Sequence, residues 1–96
     1  MKSPEFIQAK LENRLTADCS SKEVKNNRYH YSLRFDENIG WDWTSAQVDK
    51  CSLEIGISLE LWKVKPSGVG DFEIEVREVA RREGIDDSQA GLDSFE

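Results

Sequence analysis

Apolar residues near the start of the chain recur at helical spacing. One face of a helix would hold Phe6, Ile7, Leu11 and Leu15. Ser3 precedes this run and can accept a hydrogen bond from a free backbone N–H of the first turn, and Pro4 suits the first helical position. The periodicity ends in the polar stretch 17–21. The pattern therefore predicts an N-terminal helix that begins at Pro4 and ends in this polar stretch, near Cys19.

Three later segments alternate between apolar and polar residues, which is the period of a half-buried strand. In segment 28–35 the apolar side chains are Tyr29, Tyr31, Leu33 and Phe35. The strongest signal is segment 51–62, where one face would hold Cys51, Leu53, Ile55, Ile57, Leu59 and Leu61. Segment 72–77 alternates again after a glycine-rich turn at 66–70. We expect three strands, the last two forming a C-terminal hairpin.

The segment between the first two predicted strands is expected to be a loop with a short helix. Trp41 and Trp43 would lie in the loop, and Thr44 or Ser45 could cap a helix that runs to Lys50. In extended chain, two residues separated by one other residue point in opposite directions. We therefore expect one of the two tryptophans to be buried and the other at least partly exposed.

Together these elements predict a small α+β domain in two layers. The N-terminal helix would pack on an antiparallel sheet of about three strands that ends in the C-terminal hairpin. A chain of 96 residues is typical of one domain, which we assign to residues 1–83. Residues 84–96 are predicted to be a flexible acidic tail, because they contain four acidic residues and no basic one.

The charge of the chain is acidic and unevenly distributed. The formal net charge is −6, with seven basic and four acidic residues in segment 1–35 but six and fifteen in segment 36–96. This distribution argues against direct binding of nucleic acid or an anionic membrane and favours a larger protein with a basic surface. Acidic residues of the hairpin would either form an acidic plate or pair with Arg28 and Arg34 of a neighbouring strand.

The sequence contains no pattern typical of a catalytic or metal site. His30 is the only histidine and is predicted to lie on the polar, solvent-facing side of its strand. Residues 36–42 resemble a calcium loop only loosely, because the required glycine and closing glutamate are absent, and zinc would need clustered Cys and His. We therefore expect no enzymatic activity, no metal and no cofactor.

The two cysteines bear on the cellular compartment. Cys19 and Cys51 match no metal or redox motif, and the sequence shows no apolar run typical of a signal peptide or a membrane span. Both residues are expected to be reduced thiols. The protein is expected to be cytoplasmic.

Because no catalytic or metal site is predicted, we expect the functional part of the molecule to be a surface that binds a partner. Tryptophan is enriched at binding hot spots because it offers a large rigid area and one hydrogen-bond donor. The residues predicted to bind a partner are Trp41, Trp43, Glu54, Glu60, Trp62, Glu73 and Glu75. We expect a non-enzymatic inhibitor or adaptor of the phage or mobile-element type, including anti-defence proteins, that docks on a basic surface of a larger protein. The alternative is a structural subunit that self-associates through its sheet edges.

Overall fold

The computed structural model describes residues 3–35, 40–68 and 71–84, apart from the side chains of residues 67 and 68. The chain forms six elements: α1 (Pro4–Leu15), β1 (Asp18–Lys25), β2 (Arg28–Phe35), α2 (Trp41–Ile55), β3 (Leu59–Gly68) and β4 (Asp71–Glu78). The strands make one antiparallel sheet in the order β1-β2-β4-β3. The protein is thus a small α+β domain whose N-terminal helix packs on the sheet, as predicted, with four strands instead of about three.

The order of elements repeats one unit twice. Helix α1 with the hairpin β1-β2 forms the first half, and α2 with the hairpin β3-β4 forms the second. The halves meet where β2 pairs with β4 at the centre of the sheet. The two helices also contact each other, because Glu54 of α2 binds Lys10 and Arg14 of α1.

Helix α1 forms for the reasons that its sequence indicates. The Ser3 hydroxyl accepts a hydrogen bond from the backbone N–H of Phe6 at 3.2 Å, and Pro4 begins the helix. The side chains of Ile7, Leu11 and Leu15 are buried against the sheet and α2. The predicted helix is therefore confirmed.

Strand β1 was not predicted, because the segment Asp18–Lys25 is almost entirely polar. A two-residue turn joins it to β2, and both turn residues, Asn26 and Asn27, have positive φ (54° and 60°). Asparagine tolerates this left-handed region better than most residues, and such turns match the twist of a hairpin. The Asn-Asn pair was thus the sequence signal for the missing strand.

The strand predicted over residues 51–62 is wrong in its first part. Residues Trp41–Ile55 form α2, which buries Thr44, Val48, Cys51 and Ile55 at helical spacing. Leu53, predicted to face the core, is 84% exposed. Gly56, at φ 76°, ends the helix in a left-handed conformation, and the strand begins only at Leu59.

The expectation that one of two neighbouring tryptophans is buried is also wrong. Trp41 and Trp43 are 50% and 46% exposed, because both belong to the first turn of α2 and not to an extended loop. The short helix predicted to follow them instead begins at Trp41 and continues to Ile55.

The core lies between the helices and one face of the sheet. Strands β2 and β4 contribute the residues that their alternation predicts, namely Tyr31, Leu33, Phe35, Ile74 and Val76. Leu59 of β3 joins them, and Tyr29 packs against the margin of the core. Strands β2 and β4 and the C-terminal hairpin are therefore confirmed, although β3 starts eight residues later than predicted.

One buried ion pair closes the end of the core. Glu78, the last residue of β4, is 1% exposed and accepts hydrogen bonds from the Arg82 guanidinium at 2.9 and 2.5 Å. The backbone N–H of Tyr29 donates to the same carboxylate at 3.3 Å. The Arg82 backbone N–H in turn donates to the carbonyl of Asn27 at 2.7 Å. The chain after β4 is thereby held against the β1-β2 turn.

The remaining sequence expectations concern the termini and the thiols. Of the predicted tail 84–96, only Gly84 lies within the described residues. Cys19 and Cys51 are free thiols, as predicted. Among the described residues, no helix is long and apolar enough to cross a membrane.

Candidate functional site

The helices cover only one face of the sheet, and we call the other the open face. The register places His30 opposite Arg77, Ser32 opposite Glu75 and Arg34 opposite Glu73 on this face. Strand β3 adds Glu60, Lys63 and Lys65, and β1 adds Glu23 and Lys25. Within the described ranges, neither helix packs against this surface.

A concavity of about 220 Å³ lies at one end of the open face. Its lining comes from both hairpins and consists of Lys25, Asn26, Arg28, His30, Trp62 and Arg77. Three of these side chains are cations, and none of the lining residues is acidic. The site therefore presents positive charge on a chain whose overall charge is negative.

The wall formed by Trp62 and Arg77 is built by a bulge in β3. The register with β4 shifts between Leu61 and Lys63, so the intervening Trp62 is released from the regular ladder. The Arg77 guanidinium carbon lies 3.6 Å from the centre of the Trp62 ring, and its Nε donates to the Glu60 carboxylate. The indole remains 41% exposed. The stack holds a flat aromatic surface and a guanidinium in fixed relation.

The floor of the concavity is formed by His30, which is buried although it faces the predicted polar side. Its Nδ1 lies 2.9 Å from Oε2 of Glu75, and Oε1 of the same carboxylate lies 4.0 Å from the Lys25 ammonium. Glu23 stands opposite His30 on β1. The predicted surface position is thus wrong because the Glu75 carboxylate and neighbouring strands cover the ring.

Arg28 differs from the other cations of the site. Its Nε is buried and has no hydrogen-bond partner among the described residues. A buried donor without an acceptor costs about 1–3 kcal/mol, so such atoms are uncommon in folded proteins. The unpartnered atom lies on the residue that begins β2 and lines the concavity.

The predicted binding residues separate into two groups on opposite layers. Glu60, Trp62, Glu73 and Glu75 belong to the open face. Trp41, Trp43 and Glu54 belong to α2, and so lie on the helical layer. The structure therefore does not bring the seven residues together.

The carboxylates of the predicted acidic plate are engaged with basic side chains. Glu73 binds Lys65 at 3.3 Å, and Glu60 and Glu75 hold Arg77 and His30 as described above. Glu54 binds Lys10 at 3.3 Å and Arg14 at 2.6 Å, and these hydrogen bonds hold its pKa below the ordinary value. The geometry corresponds to the ion-pair alternative, although the partners are mostly other than Arg28 and Arg34.

The acidity of the chain lies largely outside the described residues. These residues carry twelve Lys and Arg against thirteen Asp and Glu, a net charge of −1. The other −5 comes from Lys2 together with Asp36, Glu37, Asp86, Asp87, Asp93 and Glu96. The described residues taken together are therefore almost neutral, and their net charge does not favour a basic partner.

A second cluster of polar groups lies inside the core, beside the buried ion pair. Burial raises the pKa of Tyr31, with the Glu78 carboxylate adding to the effect, and the phenolic oxygen has no partner among the described residues. The Arg82 guanidinium carbon lies 5.0 Å from the centre of the Tyr29 ring. The cluster is buried in the core, and the hydrogen bond from Tyr29 to Glu78 joins the two halves.

The site residues that were not predicted from the sequence are Lys25, Asn26, Arg28, His30 and Arg77. Among the residues described, no group of three or more His, Cys, Asp or Glu is placed to hold a metal ion. In comparisons with protein-family models, with curated proteins and with solved structures, nothing matches this chain.

Proposed function

We propose that this chain is a non-enzymatic protein-binding domain that contacts its partner through the open face. The observation that carries the proposal is the exposed Trp62 indole stacked on Arg77 beside a cationic concavity. Tryptophan and arginine are the residue types most enriched at binding hot spots. An aromatic anchor next to a pocket is the arrangement through which such residues contribute most of the binding energy.

The anchor is also held in place before binding. Arg77 is fixed by the Trp62 ring on one side and by the Glu60 carboxylate on another. Ordering a long side chain at an interface costs about 0.5–1.5 kcal/mol, and a side chain that is already ordered avoids much of this cost. This supports a binding role for the stack beyond its contribution to the sheet.

The charge of the site changes the expected partner. Glu60, Glu73 and Glu75 on the open face are paired, whereas the lining of the concavity is cationic, so the complementary surface on the partner is anionic at this point. In this proposal the domain acts by occupying a surface of a larger protein, as an inhibitor or adaptor does. The free thiols are compatible with action in the cytoplasm.

The alternative, self-association through sheet edges, finds less support in the geometry. The edge strand β3 is interrupted by two bulges and carries Lys63, Lys65 and Pro66, and the edge strand β1 has a bulge between Cys19 and Ser21. Bulges, lysines and proline on edges are the devices that prevent strand addition. Sedimentation velocity between low and high protein concentration should accordingly show a monomer.

Site-specific photo-crosslinking tests the proposed surface. A photoreactive amino acid replaces Lys63 on the open face in one variant and Lys50 on α2 in a matched control, since both lysines are exposed. We expect a saturable adduct with a native partner from the Lys63 position only. Excess wild-type protein should displace it, whereas excess Trp62→Ala should not.

The competitor variant must be folded for the result to count. Trp62→Ala should keep the dispersed amide spectrum of the wild type, because the indole lies outside the core. Adducts from Lys50 alone would overturn the proposal. The proposal would also be overturned if Trp62→Ala displaced the Lys63 adduct as effectively as the wild type does.

A further inference from the structure

We infer that the concavity on the open face is a phosphate-binding site, which in the proposed complex takes a phosphorylated side chain of the partner. The inference rests on the proposed function for the identity of the partner. The binding of phosphate itself does not depend on the proposed function, because it can be measured on the protein alone.

The donors that line the concavity match a phosphate group. Lys25, Arg28 and Arg77 come from three different strands and are joined by the amide of Asn26 and the imidazole of His30. A phosphorylated side chain carries a charge of about −1.5 to −2 and three strong acceptor oxygens, so it can use several donors at once. A single carboxylate has two oxygens and half the charge. Clusters of arginine are the usual means by which proteins recognise phosphorylated residues.

Arg28 provides the most specific observation. Its buried Nε has no acceptor within the described part of the chain, and its guanidinium makes no ion pair at hydrogen-bonding distance there. Because Arg28 lines the concavity, an oxyanion bound there would give its guanidinium an acceptor. A charge-assisted hydrogen bond of this kind is about twice as strong as a neutral one.

The side chains of Arg77 and His30 are each held by a carboxylate. Glu60 accepts from Nε of Arg77, and a guanidinium has four further N–H donors. Glu75 contacts one ring nitrogen of His30. Neither carboxylate belongs to the lining, so both side chains are held from outside the concavity. The pocket is thus preorganised by second contacts, a feature that increases affinity.

A phosphorylated protein segment fits the site better than a nucleic acid does. Proteins that track a nucleic-acid backbone use a continuous basic groove. Here the cations surround one concavity, and Glu23, Glu60 and Glu75 border it on the same face. The net charge of −6 would moreover repel a polyanion.

The chain itself offers a competing anion. Arg81 donates from its Nε to the carbonyl of Asn26, a residue of the lining, and the backbone N–H of Arg82 donates to the carbonyl of Asn27. In the sequence, Asp86 and Asp87 follow four and five residues after Arg82. A test on the full chain must therefore separate external phosphate from this acidic segment.

Titration of the isotope-labelled full chain provides the test. Inorganic phosphate and a phosphoserine peptide are added at constant ionic strength, with the unphosphorylated peptide as reference. We expect saturable shifts in the amide signals of Asn26 and Arg28 and in the indole N–H of Trp62. Arg28→Gln should weaken binding at least about tenfold, the equivalent of one charge-assisted hydrogen bond.

The matched control is Arg34→Gln, because Arg34 lies on the same strand and the same face, away from the concavity. It should bind phosphate as the wild type does. Lys25→Gln serves as a second site variant in case Arg28→Gln fails to fold, and it should weaken binding severalfold. Equal affinity in all four proteins would overturn the inference.

Two further results would also overturn it. One is tighter binding of a single-stranded oligonucleotide than of the phosphoserine peptide. The other is phosphate binding that appears only in Asp86→Asn/Asp87→Asn, which would identify the concavity as the docking site of the chain's own acidic segment. If the titration failed but Lys63 gave the expected adduct, only the inference of a phosphate site would be rejected. Failure of the crosslinking with successful titration would remove the proposed function alone.

Discussion

The two halves of the molecule share one order of elements but are specified by different kinds of sequence. In the first half, α1 begins with a Ser-Pro cap that binds the first turn, and its hairpin contains a strand that is almost entirely polar. In the second half, Gly40 at the N-cap of α2 provides no side-chain cap, and the strands of the hairpin largely alternate apolar and polar residues. The same architecture is therefore marked by a side-chain cap and a turn in one half and mainly by the apolar pattern in the other.

The comparison shows where each kind of signal is reliable. Capping residues placed the start of α1 correctly, because they act on the backbone of their own turn. Apolar pattern misplaced the end of α2, because Cys51 and Ile55 satisfy a helical spacing and an alternating one equally well. Only Gly56, which permits the left-handed exit, separates the helix from the strand that follows.

The largest expected effect concerns the buried pair that joins the halves. Glu78→Gln should lower the free energy of unfolding by about 3–5 kcal/mol, because Arg82 and the Tyr29 amide lose a buried carboxylate. Urea denaturation measures the loss. The control is Glu73→Gln on the same strand, whose partner Lys65 is exposed, and it should cost about 1 kcal/mol or less. Equal losses would contradict the assignment of Glu78 to the link between the halves.

The second largest effect tests where α2 ends and β3 begins. Leu59→Ala should cost about 2–5 kcal/mol, because the truncation leaves a cavity in the core. Leu53→Ala, six residues earlier, should change stability by less than about 0.5 kcal/mol, because that side chain is exposed. Leu53 is exposed if the segment is a helix and buried if it is a continuous strand. A large loss of stability in Leu53→Ala would therefore support the strand.

The third effect compares the ends of the two helices. Both C-caps are left-handed, with Thr16 at φ 53° after α1 and Gly56 at φ 76° after α2. A residue with a Cβ pays about 1–2 kcal/mol for this conformation, and glycine does not. Thermal unfolding should therefore show a gain of up to about 1 kcal/mol for Thr16→Gly and a loss of about 1 kcal/mol for Gly56→Ala. If both variants were stabilised or both destabilised, the cost of a Cβ at positive φ would not explain the two C-caps.

The smallest effect concerns the bridge between the helices. Lys10 and Arg14 lower the pKa of Glu54, so its contribution to stability is complete above the unfolded-state pKa and is lost as pH falls through the folded-state pKa. The melting temperature of Glu54→Gln should consequently lie slightly below that of the wild type at neutral pH and converge with it in acid. Added salt should reduce the difference at neutral pH. A difference independent of pH would instead indicate a packing role for the side chain.

Much of the fold could be predicted from the sequence, because α1, β2 and β4 each carry a strong local period. Strand β1 could not be predicted from its own composition, since its pairing is provided by β2 and by the turn at Asn26 and Asn27. The first part of the predicted strand 51–62 failed because tertiary packing on α1 and the sheet favours a helix there.

The candidate site was predicted only in part. Trp62, Glu60 and Glu75 were identified by residue type, and all three belong to the open face. Arg77 was missed because it reaches His30 only through the register of β2 with β4, across 47 positions of the sequence. Local pattern contains no information about that register, nor about the bulge that releases Trp62.

The central ladder between β2 and β4 has a consequence for the kinetics of folding. Each hairpin closes over a short loop and can form in about 1–10 μs, whereas the central ladder joins residues 37 to 47 positions apart and must wait for a long loop to close. Until then, β2 and β4 each present an unpaired edge that carries core residues. At high concentration during refolding, β2 of one molecule can meet β4 of another before its own, so we expect domain-swapped dimers to be the characteristic misfolded product.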